Sequence, residues 1–508
     1  MGASSSSSYM DDYNSSSWSA TGDDNPSSRS AMDDNTWSSS SARNPFVLPE
    51  LRHPLSRFFT IKDAISCACV SKAWTDDFVS AIWFQIDFSH QPRFATLSPD
   101  IVAKHGHHIR IVKNAHTVAQ ISVLANTSVR QLRELRCDPS ASALQHVRAY
   151  EIVHRNNTRL QHLYLYAISA STNKHKTLSH YIFSPALVPS FVPSATSPST
   201  LKLLSISNMC LTYDGLVTIL QGCPRLTEMT FSSMDIIGPP AQSFQHTGIT
   251  SLNASFKTAF PDPPTKGHPS LFSFFPSVEY INVWDFSRHF TFSSARIKQD
   301  LTQHCPRLTG YRLQDHTGAL ITEFCSNIAS KMTEVWFRFD QTSWALIAAI
   351  LVHQDSLKMI KYFSHPDGMD MEAEQVAYTE KEHQGGGGRL GTFLLLFPQL
   401  CSKLETLELN AHEMDMDIID RAEWICKDLR TLKIRIQALD TQEKILKTIA
   451  LWRKGCWRRW QEQAGTLVGE EGMLDMYDMS IEARVARHLL KFEKLWWVWL
   501  GYQTWIPI

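Results

Sequence analysis

The apolar residues of this chain recur at fixed offsets. The pattern reads Cys-x-x-Leu-x-x-apolar-x-apolar. Four copies are nearly complete: Cys223/Leu226/Met229/Phe231, Cys305/Leu308/Tyr311/Leu313, Cys401/Leu404/Leu407/Leu409 and Cys426/Leu429/Leu432/Ile434. Looser copies without the cysteine begin at Leu132, Leu160, Leu201, Val278, Met332, Leu357 and Phe492. Counted from the leucine, the fourth and sixth residues lie two apart, so they point the same way from a short strand. Uninterrupted copies follow one another every ~25 to 30 residues, room for one strand and one return helix. One such unit cannot bury its apolar face alone. The copies are therefore expected to stack into an α/β solenoid with a curved, open strand face.

Ahead of the repeats the pattern changes. Residues 1–43 are rich in Ser and carry three Asp-Asp pairs, with few large aliphatics, which predicts a disordered tail. Leu51, Leu55 and Phe58/Phe59 then follow helical spacing. Thr60 with Asp63 forms a capping-box pattern that predicts a second helix through Ile65 and Ala68. A third helix is expected from about Ser71 to Val79, carrying Trp74. The stretch Ile82–Phe88 shifts toward strand period and leads into the solenoid. Residues 44–89 thus read as a small helical unit and 100–508 as the repeat domain. Its expected loop insertions lie near 169–200, 364–392 and 453–480. A second reading of 453–480 starts it as an amphipathic helix, with Ile445, Ile449, Trp452 and Cys456 facing the core.

Composition narrows the function classes. The chain has 508 residues and a formal net charge of −1, so a generally basic, nucleic-acid-binding surface is not expected. Four of the ten cysteines share one repeat position, where a small buried apolar residue is needed. They do not read as a disulfide framework. With a Ser- and Asp-rich start in place of an apolar leader, this predicts a reducing compartment, cytosol or nucleus. No apolar run, Leu495–Leu500 among them, approaches the length that spans a bilayer, so no membrane insertion is expected. Met1-Gly2-Ala3-Ser4-Ser5-Ser6 matches an N-myristoylation pattern, but the nearby Asp pairs would be repelled by anionic lipid.

Residues 46–88 resemble an F-box. The stretches that carry the resemblance are Leu48-Pro49-Glu50, Leu55, Phe59, Asp63, Val70-Ser71-Lys72-Ala73-Trp74, Ile82-Trp83 and Ile86-Asp87-Phe88. Pro49 directly before Glu50 and Pro54 inside the first helix depart from the family pattern. F-boxes are commonly followed by leucine-rich repeats, and the Cys-Pro-x-Leu entries at Cys223 and Cys305 look like the cysteine-containing repeats of that group. The resemblance implies a leucine-rich-repeat horseshoe behind a three-helix F-box-like unit. It also implies a role as substrate receptor of a ubiquitin ligase: the F-box docks on a Skp-type adaptor joined to a cullin core, and the repeats select a protein substrate. The family's adaptor contacts carry over to Leu48, Pro49, Leu55, Phe59, Val70 and Trp74. The alternative is a leucine-rich-repeat scaffold with no link to ubiquitin.

The third, fifth and seventh residues of each strand should line the open face. Counting from Val278, Leu308, Met332 and Leu357 places Tyr280, Asn282, Trp284, Arg312, Gln314, Glu334, Trp336, Arg338 and Lys361 there. Exposed aromatics beside arginines are typical binding hot spots, so Tyr280, Trp284, Arg312, Trp336, Arg338 and Lys361 are the expected substrate contacts. Their positive charge suits an acidic or phosphorylated segment. The competing reading folds the tryptophans over residues 364–392. Catalytic chemistry is not expected. His105-Gly106-His107-His108 lacks a completing Cys or carboxylate, so no metal or cofactor is expected. The run Gly385–Gly388 lacks the Gly-Lys-Ser/Thr ending of a phosphate loop. The cluster Trp452–Trp460 interleaves bases with aromatics, which suits either a phosphopeptide or nucleic-acid contact or the solvated side of the amphipathic helix.

Overall fold

The computed structural model describes residues 59–507 apart from 128, 139–142, 167–198, 233, 239–243, 260–269, 285–293, 314–321, 323–324, 327–330, 339–343, 364–393, 465–478 and 501–505. It is an α/β fold built on a 15-stranded sheet. The strands are β1 (Gln85–Asp87), β2 (Ile111–Ala115), β3 (Glu134–Cys137), β4 (His162–Tyr166), β5 (Leu203–Ser207), β6 (Cys210–Thr212), β7 (Glu228–Ser232), β8 (Asp235–Ile237) and β9 (Ser251–Ser255). They continue with β10 (Tyr280–Trp284), β11 (Gly310–Leu313), β12 (Glu334–Arg338), β13 (Met359–Phe363), β14 (Thr406–Met414), β15 (Thr431–Ile436), β16 (Trp497–Leu500) and β17 (Ile506–Pro507). All but β6 and β8, which pair with each other, lie in the large sheet in chain order. Every pair in that sheet is parallel except β16 with β17. Parallel strands added always on the same side, with right-handed crossovers, send every return segment across one face. Along β4, β5 and β7 buried residues alternate with half-buried ones, so among the described residues one side of these strands packs and the other lies partly open.

The repeat motif has a backbone cause. In all four cysteine copies the leucine N–H donates to the cysteine carbonyl, at 3.1 Å for Leu226 and Leu308, 3.3 Å for Leu404 and 3.2 Å for Leu429. This turn aims the chain into the strand. The next two N–H groups then share one carbonyl of the preceding unit. Thr227 and Glu228 donate to the Lys202 carbonyl, Thr309 and Gly310 to that of Glu279, and Trp496 and Trp497 to that of Arg430. The same double bond joins every neighbour from Phe84 onward, so the turns form a continuous ladder. Cys223, Cys401 and Cys426 are fully buried and Cys305 is 3% exposed, all as free thiols. Burial pushes each of the four thiols up to about 12. The fourth-position residues Met229, Ile281, Tyr311, Val335, Ile360, Leu407 and Leu432 are all buried, together with return-helix residues such as Leu216, Ile347 and Ile449.

Three units were not visible in the pattern, and one sits in a different register. β9 follows Ile249 rather than a leucine. In β2, Asn114 takes a positive φ of 58° and the pairing with β3 shifts between Val112 and Ala115. β1 is hydrogen-bonded to β2, so the sheet begins at Gln85, inside the stretch read as the helical unit. In the last copy Phe492 takes the place of the cysteine. Leu495 is then the leucine, and Val498 and Leu500 are the buried strand residues.

Before β1, the helices Ile61–Ala68 and Lys72–Ile82 pack together. Thr60 and Asp63 form a reciprocal cap, with the Asp63 N–H donating to Thr60 Oγ1 at 3.3 Å and the Thr60 N–H to Asp63 Oδ2 at 3.1 Å. Ser71 caps the next helix by accepting from the Trp74 N–H. Residues 1–58, with the expected tail and first helix, lie outside the described residues, as do 167–198 and 364–393. The insertion near 453–480 needs correction. Residues 453–463 belong to the helix Gln442–Gln463, because Ile445, Ile449 and Trp452 continue one buried stripe at helical spacing. Among the described residues no helix is long and apolar enough to cross a membrane.

Candidate functional site

Strand register decides which side chains meet on the open face. Asn282 stands opposite Arg312, Arg312 opposite Trp336, Trp336 opposite Lys361, Lys361 opposite Glu408, Glu408 opposite Lys433 and Lys433 opposite Trp499. Neighbouring strands lie about 4.8 Å apart, so successive side chains in this row touch. The Arg312 guanidinium lies 4.7 Å from the Trp336 ring and Lys361 Nζ lies 4.5 Å from it, so the indole is held between two cations. Lys361 also pairs with Glu408 at 2.9 Å. Lys433 Nζ sits 3.6 Å from the Trp499 ring. A separate pair, Arg136 over Tyr164 at 4.3 Å, stands at the other end of the same face.

The row is only half solvated, and its charges register that. Burial lowers Arg312, while the neighbouring Tyr280 opposes the shift. Burial pushes the Tyr280 phenol up to about 12. Burial raises the Glu334 carboxyl against the pull of Lys361, and lowers Lys433 against Glu408. Cations held over aromatic faces in a partly dry setting interact more strongly than they would in water. A groove of this kind can grip the carboxylates and apolar side chains of a polypeptide.

Of the residues expected to contact substrate, Tyr280, Arg312, Trp336 and Lys361 come together on four adjacent strands. Trp284 and Arg338 are the last residues of β10 and β12, and their side chains lie outside the description. Two features differ from expectation. Trp336 is half-buried between its cations rather than freely exposed, and Glu408 offsets part of the positive charge. Glu408, Lys433 and Trp499 extend the row past Lys361. The same counting from Leu404, Leu429 and Leu495 finds them.

Among the expected adaptor contacts, Leu48, Pro49 and Leu55 lie outside the described residues. Phe59 and Trp74 are half-buried. Each ring sits 5.7 Å from the fully buried Phe78, so they build the core of the helix pair. Val70 is 65% exposed. Ile61 and Ile65, one helical turn apart, are also exposed, giving an outward apolar stripe that sequence reasoning missed. The His105–His108 stretch closes the helix Pro99–His105 and its following turn, where His105 stacks on Trp83 at 4.9 Å. No group of three metal-ligating side chains gathers among the described residues. No family model matches the chain, and no curated protein matches it.

Proposed function

We propose that this chain is an F-box-like substrate receptor whose repeat domain is a leucine-rich-repeat solenoid. Its helical unit docks on a Skp-type adaptor of a cullin ubiquitin ligase, and its open strand face holds a protein substrate. The reading rests chiefly on how binding features are divided along the chain. The helix Ile61–Ala68 and the turn after it expose Ile61, Ile65 and Val70 beside the Phe59–Phe78–Trp74 cluster, as a docking module requires. The sheet then supports one continuous row from Arg312 to Trp499, of cations and aromatics with the single carboxylate Glu408 among them. Such residues dominate binding hot spots. No catalysis by this chain is invoked, because holding substrate near the partner subunits' chemistry is sufficient.

Affinity capture from cells tests both halves. Ile65→Asp/Val70→Asp should lose the adaptor and keep substrates. Trp336→Ala/Lys433→Glu should lose substrates and keep the adaptor. Recovery of partners through the repeats with no adaptor bound to the wild-type chain would instead support a scaffold outside the ubiquitin system.

A further inference from the structure

Each unit enters its strand through a turn, comprising the two residues before the leucine-type residue, that residue itself and the one after it. From β2 to β7 these turns read His107-His108-Ile109-Arg110, Arg130-Gln131-Leu132-Arg133, Thr158-Arg159-Leu160-Gln161, Ser199-Thr200-Leu201-Lys202 and Pro224-Arg225-Leu226-Thr227. None contains an acid. The first turn carboxylate is Glu279. In the later turns acids and bases neutralise one another, with Lys358 3.6 Å and Arg430 3.8 Å from Glu405, and Lys494 paired with Asp428. In the early turns Arg130, Arg133, Arg159, Lys202 and Arg225 are exposed, and no described carboxylate pairs with them.

The crowding of like charge is visible in the groups themselves. Arg110 Nη1 is tied back to the His107 carbonyl at 2.5 Å and the Ile109 carbonyl at 3.3 Å. Burial lowers Arg110, and Arg133 and Arg159 lower it further. Burial likewise lowers His105 and His108, and the neighbouring basic groups lower both further. Among the described residues nothing repays this repulsion. An external anion would.

We propose that the turn edge from β2 to β7 is a docking strip for an acidic, extended polypeptide segment of a partner protein. The strip is separate from the open-face row and does not depend on its role. Its rungs repeat at the strand spacing of about 4.8 Å, within reach of long arginines for carboxylates on alternate residues of an extended chain, ~7 Å apart. The carbonyls of Arg110, Arg133 and Lys202 each already accept two N–H groups, so a ligand meets side-chain charge. No Trp, Tyr or Phe stands in these turns to stack a base, which favours polypeptide over single-stranded nucleic acid.

The full chain is titrated into fluorescein-labelled dodecaglutamate at low salt, and anisotropy is read. Wild type should bind. Arg133→Glu/Arg159→Glu should weaken binding roughly tenfold or more, since like charges replace opposite ones. Arg133→Gln/Arg159→Gln should fall between. Lys403→Glu/Lys427→Glu, the same charge change at later turns, should leave binding near wild type. No binding by wild type, or equal losses in the early and late pairs, overturns the strip. Tighter binding of a labelled thymidine dodecanucleotide, lost in the Arg133/Arg159 variant, overturns the polypeptide assignment.

Discussion

Lowering the pH from 7 to 4.5 should loosen the last units of the sheet through one residue, His488. It lies on the helix Ile481–Leu489, 3% exposed, with Trp424 edge-on at 4.7 Å and Phe492 at 5.6 Å. Neither ring nitrogen has a hydrogen-bond partner. Burial, with help from Lys491 and against Asp420, drops its pKa from 6.5 to about 4. In the unfolded chain the ring protonates near 6.5, while in the folded chain it stays neutral until about pH 4. Between those values the unfolded state binds more protons, so stability falls as pH falls. The loss is about 2–3 kcal/mol at pH 4.5 and about 3 kcal/mol below both values. His488→Leu removes this term. It also removes an unsatisfied buried N–H, so at pH 7 the variant should match or slightly exceed wild type. Amide hydrogen exchange of residues 481–489 is the suitable assay, because it reports local opening even when a long stack does not unfold in one step. The quantity of interest is the difference between wild type and His488→Leu at the two pH values, in which other titrating groups cancel. A difference that does not move between pH 7 and 4.5 would refute the argument.

Two further outcomes follow from packing. In native protein at pH 8, Cys67, Cys69 and Cys456 should react with a thiol reagent, while Cys223, Cys305, Cys401 and Cys426 stay inert until denaturant is added. Gly310→Ala should cost about 1–3 kcal/mol in chemical denaturation, because its Cβ would stand 3.0 Å from Tyr280 Cδ2 and 3.2 Å from Glu334 Cβ. Unchanged stability there would mean that Tyr280 can swing away freely.

The strands were legible because the motif couples a turn to a strand of fixed length. The leucine N–H closes the turn and the fourth residue must then point into the core, so Arg312, Trp336 and Lys361 could be placed in one row, with Tyr280 on the same face, by counting. The partnerships within that row were not legible. That Lys361 is shared between Trp336 and Glu408 depends on which strand lies next door and on how far each side chain reaches. The stripe Ile445, Ile449, Trp452 and Cys456 was legible, but the helix runs on to residue 463 through Gly455, inside a stretch also read as a loop. In the fold a Cβ at that position would stand 2.5 Å from Leu490 Cδ1, so glycine permits the close approach of the helices Gln442–Gln463 and Ile481–Leu489. β9 was missed because Ile249 replaces the leucine at no cost to burial.

The shared carbonyls of the turn ladder also separate neighbourhood in space from continuity of the chain. β4 and β5 pair from His162↔Leu203 to Tyr166↔Ser207 although residues 167–202 intervene, and β13 meets β14 from Met359↔Thr406 to Tyr362↔Leu409 across residues 364–405. The lock between units is made at the turn and strand, whatever length of chain passes between them. Length can therefore be gained or lost at these two crossings as if at ports. The length of the crossing changes, while the spacing of the row that faces outward stays where the ladder sets it.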